Sequence, residues 1–427
     1  MLDIKEKEQT ESKHYIFLVF LILLNVMNFV DRQLLASFAN FIIPDLSLSN
    51  TQFGILTGFG FLFFYSIMGL FMGILADKVH RSRLIAIGVA LWSFLTALSG
   101  AARGFTGLLL PRMFIGVGES ILTPTAISIL GDRFPQSKMG FVTGAYYMGI
   151  PIGAGLSLII AGSLGPIIGW RMCFYILGII GIFLSLIMFF IKETPRSITT
   201  ENLNTKKINL KIIKDDLMKA LKESKPLTLC IYGGVVYRLV LGSAVYDQVW
   251  YVKERGFDKA EIAQYAGYIV VVFGILGNLF GGLGSDWFSK KFNLGRPMFL
   301  FWVMLLLLPI NVLGRIVSPE SYIFWIAMMA GSFQLGSVYG PTFATVQELA
   351  PPHMKATMIA FLILNLNMIG MFIGTTGTGI ILDTLISYNE TAINPISEPY
   401  TKTLLFFTLI SSLSIPMFWF AGKGLKK

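Results

Sequence analysis

Charged residues are scarce in this chain. Asp, Glu, Lys and Arg make up 14% of the 427 residues, whereas 54% are hydrophobic and the mean hydropathy is +0.69. A soluble domain carries about a quarter charged residues. A globular core of this length cannot bury so much apolar surface. The composition therefore excludes an ordinary soluble domain and indicates an integral membrane protein.

Cysteine and histidine are also rare. The two cysteines, Cys173 and Cys230, lie in or beside apolar runs and match no metal-binding or redox spacing. All three histidines fall outside the apolar runs, so no histidine relay within the membrane is available: His14, His80 and His353. The chain has no nucleophile–base constellation and no nucleotide-binding glycine motif. The sequence therefore predicts no enzyme activity, no metal site and no cofactor.

Apolar runs of membrane-spanning length are frequent. They predict an all-α membrane protein with twelve transmembrane helices in two six-helix bundles. The runs lie at about 16–42, 52–76, 84–103, 107–131, 138–163, 170–191, 227–251, 262–285, 296–317, 322–347, 355–382 and 403–421.

One long polar segment, residues 192–226, divides these runs into two sets of six. We therefore expect a first bundle at 16–191 and a second at 227–421, with tails at 1–15 and 422–427. Residues 1–15 carry both signs of charge and no cleavage site, which is not typical of a signal peptide. Within the linker, IIKDDLMKALKES has apolar residues at helical spacing. It fits either an amphipathic helix on the membrane surface or a solvated connector.

Positive charge is distributed unevenly between the two sides of this topology. The loops and helix ends on the side of both termini hold 24 Lys and Arg, those on the opposite side hold 7, and Arg32, Arg112 and Arg238 lie within spans. Such a bias places both termini in the cytoplasm. It also accounts for the net charge of +10 without a nucleic-acid partner. We expect a monomer surrounded by membrane lipids, in a bacterial inner membrane.

Two short patterns recur in both halves. GILADK (73–78) and GLGSDW (282–287) share the spacing G-x-x-x-D after the second helix of each half. PTAISILGDRFPQSK (124–138) is echoed by PTFATVQELAPPHMK (341–355), each with Pro-Thr, an acid, a proline three residues later and a lysine. The offsets agree to within a short loop. Two homologous halves related by an axis along the membrane normal explain this repetition.

The loop segment GILADKVHRSR (73–83) resembles the major facilitator superfamily signature G-x-x-x-D-[RK]-x-G-[RK]-x-[RK], with His80 in place of the second glycine. The matching residues are Gly73, Asp77, Lys78, Arg81 and Arg83. Gly73 would allow close helix approach. Asp77 would meet the N-terminus of a neighbouring helix and Arg133, and so hold the cytoplasmic side shut. Asp286 repeats this acid in the second half.

Four charged residues interrupt the first and fourth apolar runs. Asp31 and Arg32 lie within YIFLVFLILLNVMNFVDRQLLASFANFII (15–43), and Arg112 and Glu119 are seven residues apart. Seven residues are almost two helical turns, so both face the same way. Charges within a membrane are costly and normally face a partner or a water-filled cavity. We expect one cluster of two acids and two bases between helices one and four.

Within the superfamily, the sequence is similar to the Spinster family. The similarity rests on NFVDR (28–32), RMFIGVGES (112–120) and AYYMGIPIGAGLS (145–157). It implies proton-linked transport of lysophospholipid- or sphingolipid-like amphiphiles. In our hypothesis Asp31 is the main proton-binding group, Glu119 is the second acid, and Arg32 or Arg112 is the switching partner. A purely structural salt-bridge network is the alternative.

Further polar and aromatic residues within the spans are candidates for contact with substrate. They either line a cavity or bond neighbouring helices. The candidates for the polar part of the cavity are Arg112, Glu119, Tyr146, Tyr232, Arg238, Gln334, Tyr339 and Asn365. Phe59 and Phe63 could contact an acyl chain or pack against lipid. The segment Asn389-Glu390-Thr391 is a glycosylation sequon that matters only in a host that glycosylates.

Two other functions fit the same residues. N-x-x-D-R also resembles the start of anion:cation symporters for sugar acids, so a proton-coupled transporter of small organic anions would use Arg32, Arg112 or Arg238 to hold a carboxylate. A membrane receptor or scaffold that transports nothing is the other alternative. A cavity that opens sideways to the bilayer would favour the amphiphile, and a sealed polar cavity would favour the sugar acid.

Overall fold

The protein is a bundle of long helices joined by short loops. The computed structural model describes residues 2–135, 138–195, 210–351, 354–393 and 395–425, and these contain no strand. Within this described part, eleven helical segments are long and apolar enough to cross a membrane. A twelfth, Tyr322–Leu349, has 28 residues and packs against helices of the same half. The prediction of an all-α protein with twelve membrane helices is confirmed.

The first half consists of helices α1 to α6, several of them interrupted. α1 is Leu2–Ser37 and is followed by the short helix Ala39–Asp45. The others are α2 (Asn50–Thr57 and Phe59–Lys78), α3 (Arg81–Gly100), α4 (Phe105–Glu119 and Leu122–Arg133), α5 (Met139–Tyr147 and Gly149–Ser163) and α6 (Gly165–Phe190).

The second half consists of helices α7 to α12. They are α7 (Lys225–Ser243, then Ala244–Tyr246 as a 3₁₀ turn, then Asp247–Lys253), α8 (Lys259–Leu279, the π-helical Phe280–Gly284, then Ser285–Phe292), α9 (Arg296–Ile316), α10 (Tyr322–Leu349), α11 (Lys355–Asn365, the π-helical Leu366–Met371, then Phe372–Thr391) and α12 (Pro399–Ser411 and Ser414–Lys423).

Local sequence signals set several helix starts. Ser49 and Gln52 form a capping box before α2, in which each side chain accepts a hydrogen bond from the other's backbone N–H. Asp258 and Ser321 cap α8 and α10. Proline occupies the first turn of α6, α7, α9 and α12, where its missing N–H costs nothing.

Several predicted boundaries differ from the observed ones. α1 begins at Leu2, so residues 2–15 of the predicted tail are helical, and α1 ends at Ser37 before the short helix Ala39–Asp45. α8 continues to Phe292 and α11 to Thr391, beyond the predicted ends at 285 and 382. Polar residues can extend a membrane helix past the apolar core, where hydropathy no longer marks the end.

The linker contains one described helix, Leu210–Glu223. Ala220 is buried, and Leu217 and Leu221 pack against the core of the second half. The hydroxyl of Thr228 in α7 donates to the carbonyl of Leu221 at 2.5 Å. The apolar face of this helix is therefore covered by protein at these residues. Residues 196–209 of the predicted linker lie outside the described residues.

The two halves meet mainly on one side of the membrane. We call the side at which α1 begins and α12 ends the terminal side, and the opposite side the far side. Within the described residues, the hydrogen bonds between halves lie at the far side, apart from one near the midplane from Asn367 Nδ2 to Ser66 Oγ at 3.0 Å. Asn40 donates to the carbonyl of Gln248 at 2.7 Å in the far-side set. The conformation is therefore closed at the far side.

Close packing of α5 on α8 extends this closure. A Cβ atom added at Gly155 would lie 2.6 Å from the carbonyl oxygen of Gly267 and 2.3 Å from Val271. Only glycine permits such an approach, as at other close contacts between membrane helices. The close contact along this seam between α5 and α8 thus depends on residues without side chains.

Candidate transport site

The four charged residues of α1 and α4 do come together. Asp31 is 3% exposed, Arg112 5% and Glu119 1%, so all three lie in the interior of the first half. Glu119 ends the first segment of α4, directly before the break at residues 120–121. Arg32 reaches it from α1. The predicted location of the cluster between helices one and four agrees with this geometry.

Arg32 is the ion-pair partner of Glu119. Its Nε and Nη2 atoms donate to the same oxygen, Oε2, at 3.1 and 3.0 Å. Three rings surround the guanidinium, with centroids 4.3 Å (Tyr65), 4.8 Å (Phe29) and 4.9 Å (Phe61) from Cζ. Arginine stacks well on aromatic faces, and each contact contributes about 0.5–2 kcal/mol, with the larger values where water is excluded. The cation is thus held by both charge and aromatic faces.

Arg112 has a different role from Arg32. Its Nη2 donates to the backbone carbonyl of Arg32 at 2.5 Å and its Nη1 to that of Asp31 at 3.3 Å. Phe61 lies 5.0 Å from its Cζ, so the same ring contacts both arginines. Arg112 therefore fixes the α1 backbone where the two charged residues occur.

Asp31 bonds to α3. The hydroxyl of Thr96 donates to its Oδ2 and is also within hydrogen-bond distance of the carbonyl of Trp92 in its own helix. In the described part of the chain, no basic side chain lies within 4.0 Å of the Asp31 carboxylate. The sequence reasoning missed Thr96, because a single threonine in an apolar helix gives no signal of its function.

The second half contributes Arg238 at mid-height of α7. Its Cζ lies 5.3 Å from the ring of Tyr339 in α10. Among the described residues it has no acidic partner, and its buried Nε has no hydrogen bond. Tyr147 of α5 is 41% exposed, and Tyr65 and Tyr339 lie near it. Tyr65 and Tyr147 belong to the first half and Tyr339 to the second, so the two halves approach each other here.

The other predicted substrate-binding residues have mixed placements. Tyr146 is fully buried, and its backbone carbonyl accepts a hydrogen bond from Asn25 at 2.8 Å, so it does not line an open surface in this conformation. Gln334 accepts from Asn311 at 2.5 Å, which joins α10 to α9. Asn365 bonds to the carbonyl of Phe361 in its own helix at 2.7 Å. Tyr232 is 39% exposed.

Phe59 and Phe63 lie where α2 meets α11. The ring of Phe59 is 5.1 Å from that of Phe63 and 5.3 Å from that of Phe372 in α11. Phe59 is also 39% exposed. An apolar aromatic group therefore lies at the boundary between the halves, next to the outside of the bundle.

The residues of the loop signature form connections within each half. Arg81 starts α3, is 1% exposed, and binds Asp132 at 2.6 Å and Glu193 at 2.9 Å. Its counterpart Arg296 starts α9 and binds Asp286 at 3.0 Å and Glu348 at 2.6 Å. Each arginine thus joins the start of the third helix to the end of the fourth helix of its half.

Among the remaining residues of the predicted latch, Arg83 and Arg133 contact residues of the first half. Nothing lies within 4 Å of a Cβ built at Gly73, so the expected close approach is not made in this conformation. Arg133 donates to Thr194 at 2.8 Å and stacks 3.8 Å from the ring of Phe17. Lys78 is exposed, and Arg83 lies 5.6 Å from the ring of Phe189. The side chain of Asp77 lies outside the described ones.

The described residues include no group of three or more His, Cys, Asp and Glu able to hold a metal ion. Both cysteines are buried with free thiols. The site consists of charged, aromatic and hydroxyl side chains around the junction of two helical bundles.

Known proteins resemble the chain over most of its length. It is 27% identical to an MFS-type efflux pump of Mycolicibacterium smegmatis, in an alignment that covers 86% of this chain and 83% of the pump. It is 26% identical to a hexuronate transporter of Bacillus subtilis (86% and 87%) and 24% identical to the probable sphingolipid transporter spinster homolog 2 of Arabidopsis thaliana (86% and 81%).

Solved structures show the same fold. A bacterial homolog of the human lysosomal transporter Spinster, in an inward-facing and unoccupied conformation, matches with a TM-score of 0.80 at 21% identity, over 96% of this chain and 97% of the other. The family model of the Major Facilitator Superfamily matches residues 21–375. The family-model match over most of the chain shows that it belongs to the Major Facilitator Superfamily, and within that superfamily it is similar to Spinster proteins.

Proposed function

We propose that the protein is a proton-linked secondary transporter that works by alternating access and carries lysophospholipid- or sphingolipid-like amphiphiles. The observation that carries this proposal is the aromatic-walled ion pair of Arg32 and Glu119 in the first half, together with Arg238 of the other half, which has no acidic partner among the described residues. An anionic head group would bind between Arg32 and Arg238. The apolar boundary at Phe59 and Phe63 would accept the acyl chain.

Arg32 is the better switching residue of the two arginines in the first half. Arg112 binds backbone carbonyls, which do not change charge during transport. Arg32 binds the carboxylate of Glu119, and protonation of that carboxylate would weaken the pair. A substrate anion could then replace Glu119 as the partner of Arg32. We propose that this exchange links proton binding to substrate binding.

Asp31 is the proposed main proton site. Its carboxylate is buried and accepts a hydrogen bond from Thr96, and no basic side chain of the described residues lies within ion-pair distance of it. A charge within a membrane is costly, so a buried carboxylate there is a candidate to carry a proton. In this mechanism Asp31 holds a proton during the conformational change, with Glu119 as the second acid. Cytoplasmic termini, a monomeric state and a bacterial inner membrane complete the proposal.

A transporter of small organic anions is the second candidate. Arg238 is a cation near the midplane without an acidic partner among the described residues, and a carboxylate would satisfy it as well as a lipid head group would. The relatives called hexuronate transporter and probable L-galactonate transporter favour this alternative. The two candidates share the anion-binding residues and differ in the need for an apolar path.

Transport in reconstituted liposomes distinguishes the candidates. We would follow labelled lysophosphatidylcholine and a labelled sugar acid, with and without a pH gradient, for the wild type and for Asp31→Asn. The amphiphile proposal expects lysolipid flux that responds to the gradient and falls at least tenfold in Asp31→Asn. Sugar-acid flux alone would move the protein to the second candidate. Flux that is unchanged in Asp31→Asn would reduce Asp31 to a structural residue.

Two further variants test the binding residues. Arg238→Gln should raise the KM for either anion, whereas Arg171→Gln removes an arginine at the far side that binds Asp45 within its own half. Arg32→Lys keeps the charge but loses the planar contact with the rings, so it should lower transport more than Arg171→Gln does. Equal effects of Arg238→Gln and Arg171→Gln would contradict a role for Arg238 in substrate binding.

A further inference from the structure

A concave site lies on the outer surface of the second half, between α8 and α10. It has a volume of about 550 Å³, and its walls include Phe257, Tyr265, Tyr268 and Trp325. One acid, Glu261, is among the residues that line it. This site is outside the central cluster, and nothing in the transport proposal uses it.

The aromatic walls are arranged in a defined way. The ring of Trp325 meets that of Phe257 at 5.7 Å with an interplanar angle of 78° and that of Tyr265 at 5.7 Å with an angle of 87°. Such edge-to-face contacts hold the rings in fixed orientations. Tyr265 is 43% exposed and Tyr268 54% exposed, so their ring surfaces remain accessible.

The carboxylate of Glu261 is oriented but not neutralised. The hydroxyl of Tyr265 donates to its Oε1 at 3.0 Å. Lys259, two residues away, points to the other half, with its Nζ 4.2 Å from the centroid of the Phe41 ring. Glu261 has no ion-pair partner among the described residues. A carboxylate beside accessible aromatic faces attracts a cation, and ammonium groups suit such sites.

The residues of the site become less polar with increasing depth in the membrane. Glu261 is the third residue of α8, whereas Ile269 and Met329 lie deeper along α8 and α10. At about 1.5 Å per residue, Ile269 is about 12 Å further from the far-side end than Glu261. The interfacial region is several ångströms thick on each side of the hydrocarbon core. The acid therefore lies at head-group level and the aliphatic side chains at acyl-chain level.

We infer that this site binds a phospholipid of the far-side leaflet through its ammonium head group. The ammonium would lie against Tyr265, Tyr268 and Trp325, with Glu261 as its counter-ion, and an acyl chain would run past Ile269 and Met329. A simple band of interfacial aromatics also places Trp and Tyr at this level. The concave shape and the unneutralised carboxylate distinguish a head-group site from such a band.

Native mass spectrometry of the purified full-length protein tests the inference. The protein would be titrated with phosphatidylcholine or with phosphatidylglycerol of identical acyl chains. We expect phosphatidylcholine to bind at least about fivefold more tightly, and Glu261→Gln and Trp325→Leu each to abolish that preference. Equal binding of the two lipids by the wild type, or an unchanged preference in both variants, would overturn the inference.

Two controls keep the result specific. Glu320→Gln and Tyr322→Leu change an acid and an exposed aromatic at the same end of the bundle but outside the site, and the preference should survive in both. Thermal unfolding of every variant identifies loss of fold.

Soluble phosphocholine should compete poorly with the lipid because it lacks the acyl chains. Full displacement of the lipid at equal concentration would assign the site to a soluble ammonium compound and overturn the lipid assignment.

Discussion

The carboxylate of Asp383, near the end of α11, caps the start of α2 at Asn50. It accepts hydrogen bonds from the backbone N–H groups of Asn50 and Thr51 at 3.0 and 2.8 Å and from Asn50 Nδ2 at 2.9 Å. An acid at a helix N-terminus satisfies unpaired donors and interacts favourably with the helix dipole. Because α2 and α11 belong to different halves, this cap fastens the far side.

Two tyrosines of the second half also bond to Asn50 at the start of α2. The hydroxyl of Tyr246 donates to the carbonyl of Asn50 at 2.6 Å, and that of Tyr400 donates to Asn50 Oδ1 at 2.9 Å. Asn50 of the first half is thus bound by three elements of the second half. Opening of the far side requires all of these bonds to break together.

The first prediction is that Asp383→Asn opens the far side more often. The amide keeps the shape but loses the charge, and each charge-assisted hydrogen bond contributes about 1.5–3 kcal/mol. We expect the far-side-open population to rise at least tenfold. Spin labels at Ala101 and Ile393, one in each half, report the separation by double electron–electron resonance. Asp45→Asn is the matched control, because Asp45 binds Trp170 and Arg171 within the first half. An equal shift in the control would refute this role.

The second prediction concerns Thr96. Thr96→Val removes the hydroxyl that donates to Asp31 and keeps the shape of the side chain. We expect the pH profile of transport to change, because the Asp31 carboxylate loses its hydrogen-bond donor. The fold should persist, with a change in melting temperature of a few degrees.

Ser99→Ala is the control for Thr96. Ser99 lies in the same helix, and its hydroxyl donates to the carbonyl of Leu95 at 2.8 Å. Its loss should leave the pH profile of transport unchanged. If the profile moves equally in both variants, or in neither, Thr96 does not tune Asp31.

The third prediction concerns the seam between α5 and α8. Gly155→Ala should destabilise the far-side-closed conformation, because the added methyl group would lie 2.6 Å from the carbonyl oxygen of Gly267. Gly144→Ala adds the same methyl group to the same helix where nothing lies within 4 Å. Both variants gain about 1 kcal/mol of intrinsic helix propensity. The distance between spin labels at Ala101 and Ile393 should therefore lengthen only in Gly155→Ala. An unchanged distance would mean that the contact between α5 and α8 accommodates the methyl group.

The fourth prediction is a pH dependence at the far-side end of α8. The backbone N–H groups of Glu261 and Ala260 donate to Asp258 Oδ1 at 3.0 and 2.8 Å and hold the pKa of that carboxyl below its usual value. A lowered folded-state pKa means that the charged cap stabilises the fold above about pH 3.9, the usual value for Asp. This contribution disappears as the pH falls through the lower, folded-state pKa.

Asp258→Asn removes the titrating charge and keeps a side chain that can cap the helix. Asparagine caps a helix about as well as aspartate but does not titrate in this range. Melting temperatures between pH 6 and pH 3 should fall less steeply for Asp258→Asn than for the wild type. Asp258→Ala should be less stable at every pH, by about 1 kcal/mol. Parallel curves for the wild type and Asp258→Asn would contradict the assignment.

The sequence was sufficient to predict the class, the number of spans and the position of the charged cluster. These properties are local, because hydropathy over about 20 residues marks a span and a charge within a span is costly wherever it occurs. The repeated patterns at Asp286 and Glu348 also indicated two related halves, and both residues bind Arg296 in the structure.

The partners of these residues came only from the tertiary structure. That Glu119 pairs with Arg32, that Arg112 binds backbone carbonyls, and that Asp31 bonds to Thr96 all depend on the rotation of α1 against α3 and α4. The far-side cap joins Asp383 to Asn50 across 333 positions of sequence. Rotation and tilt follow from the packing of every contacting side chain, so hydropathy and spacing along one chain cannot fix them.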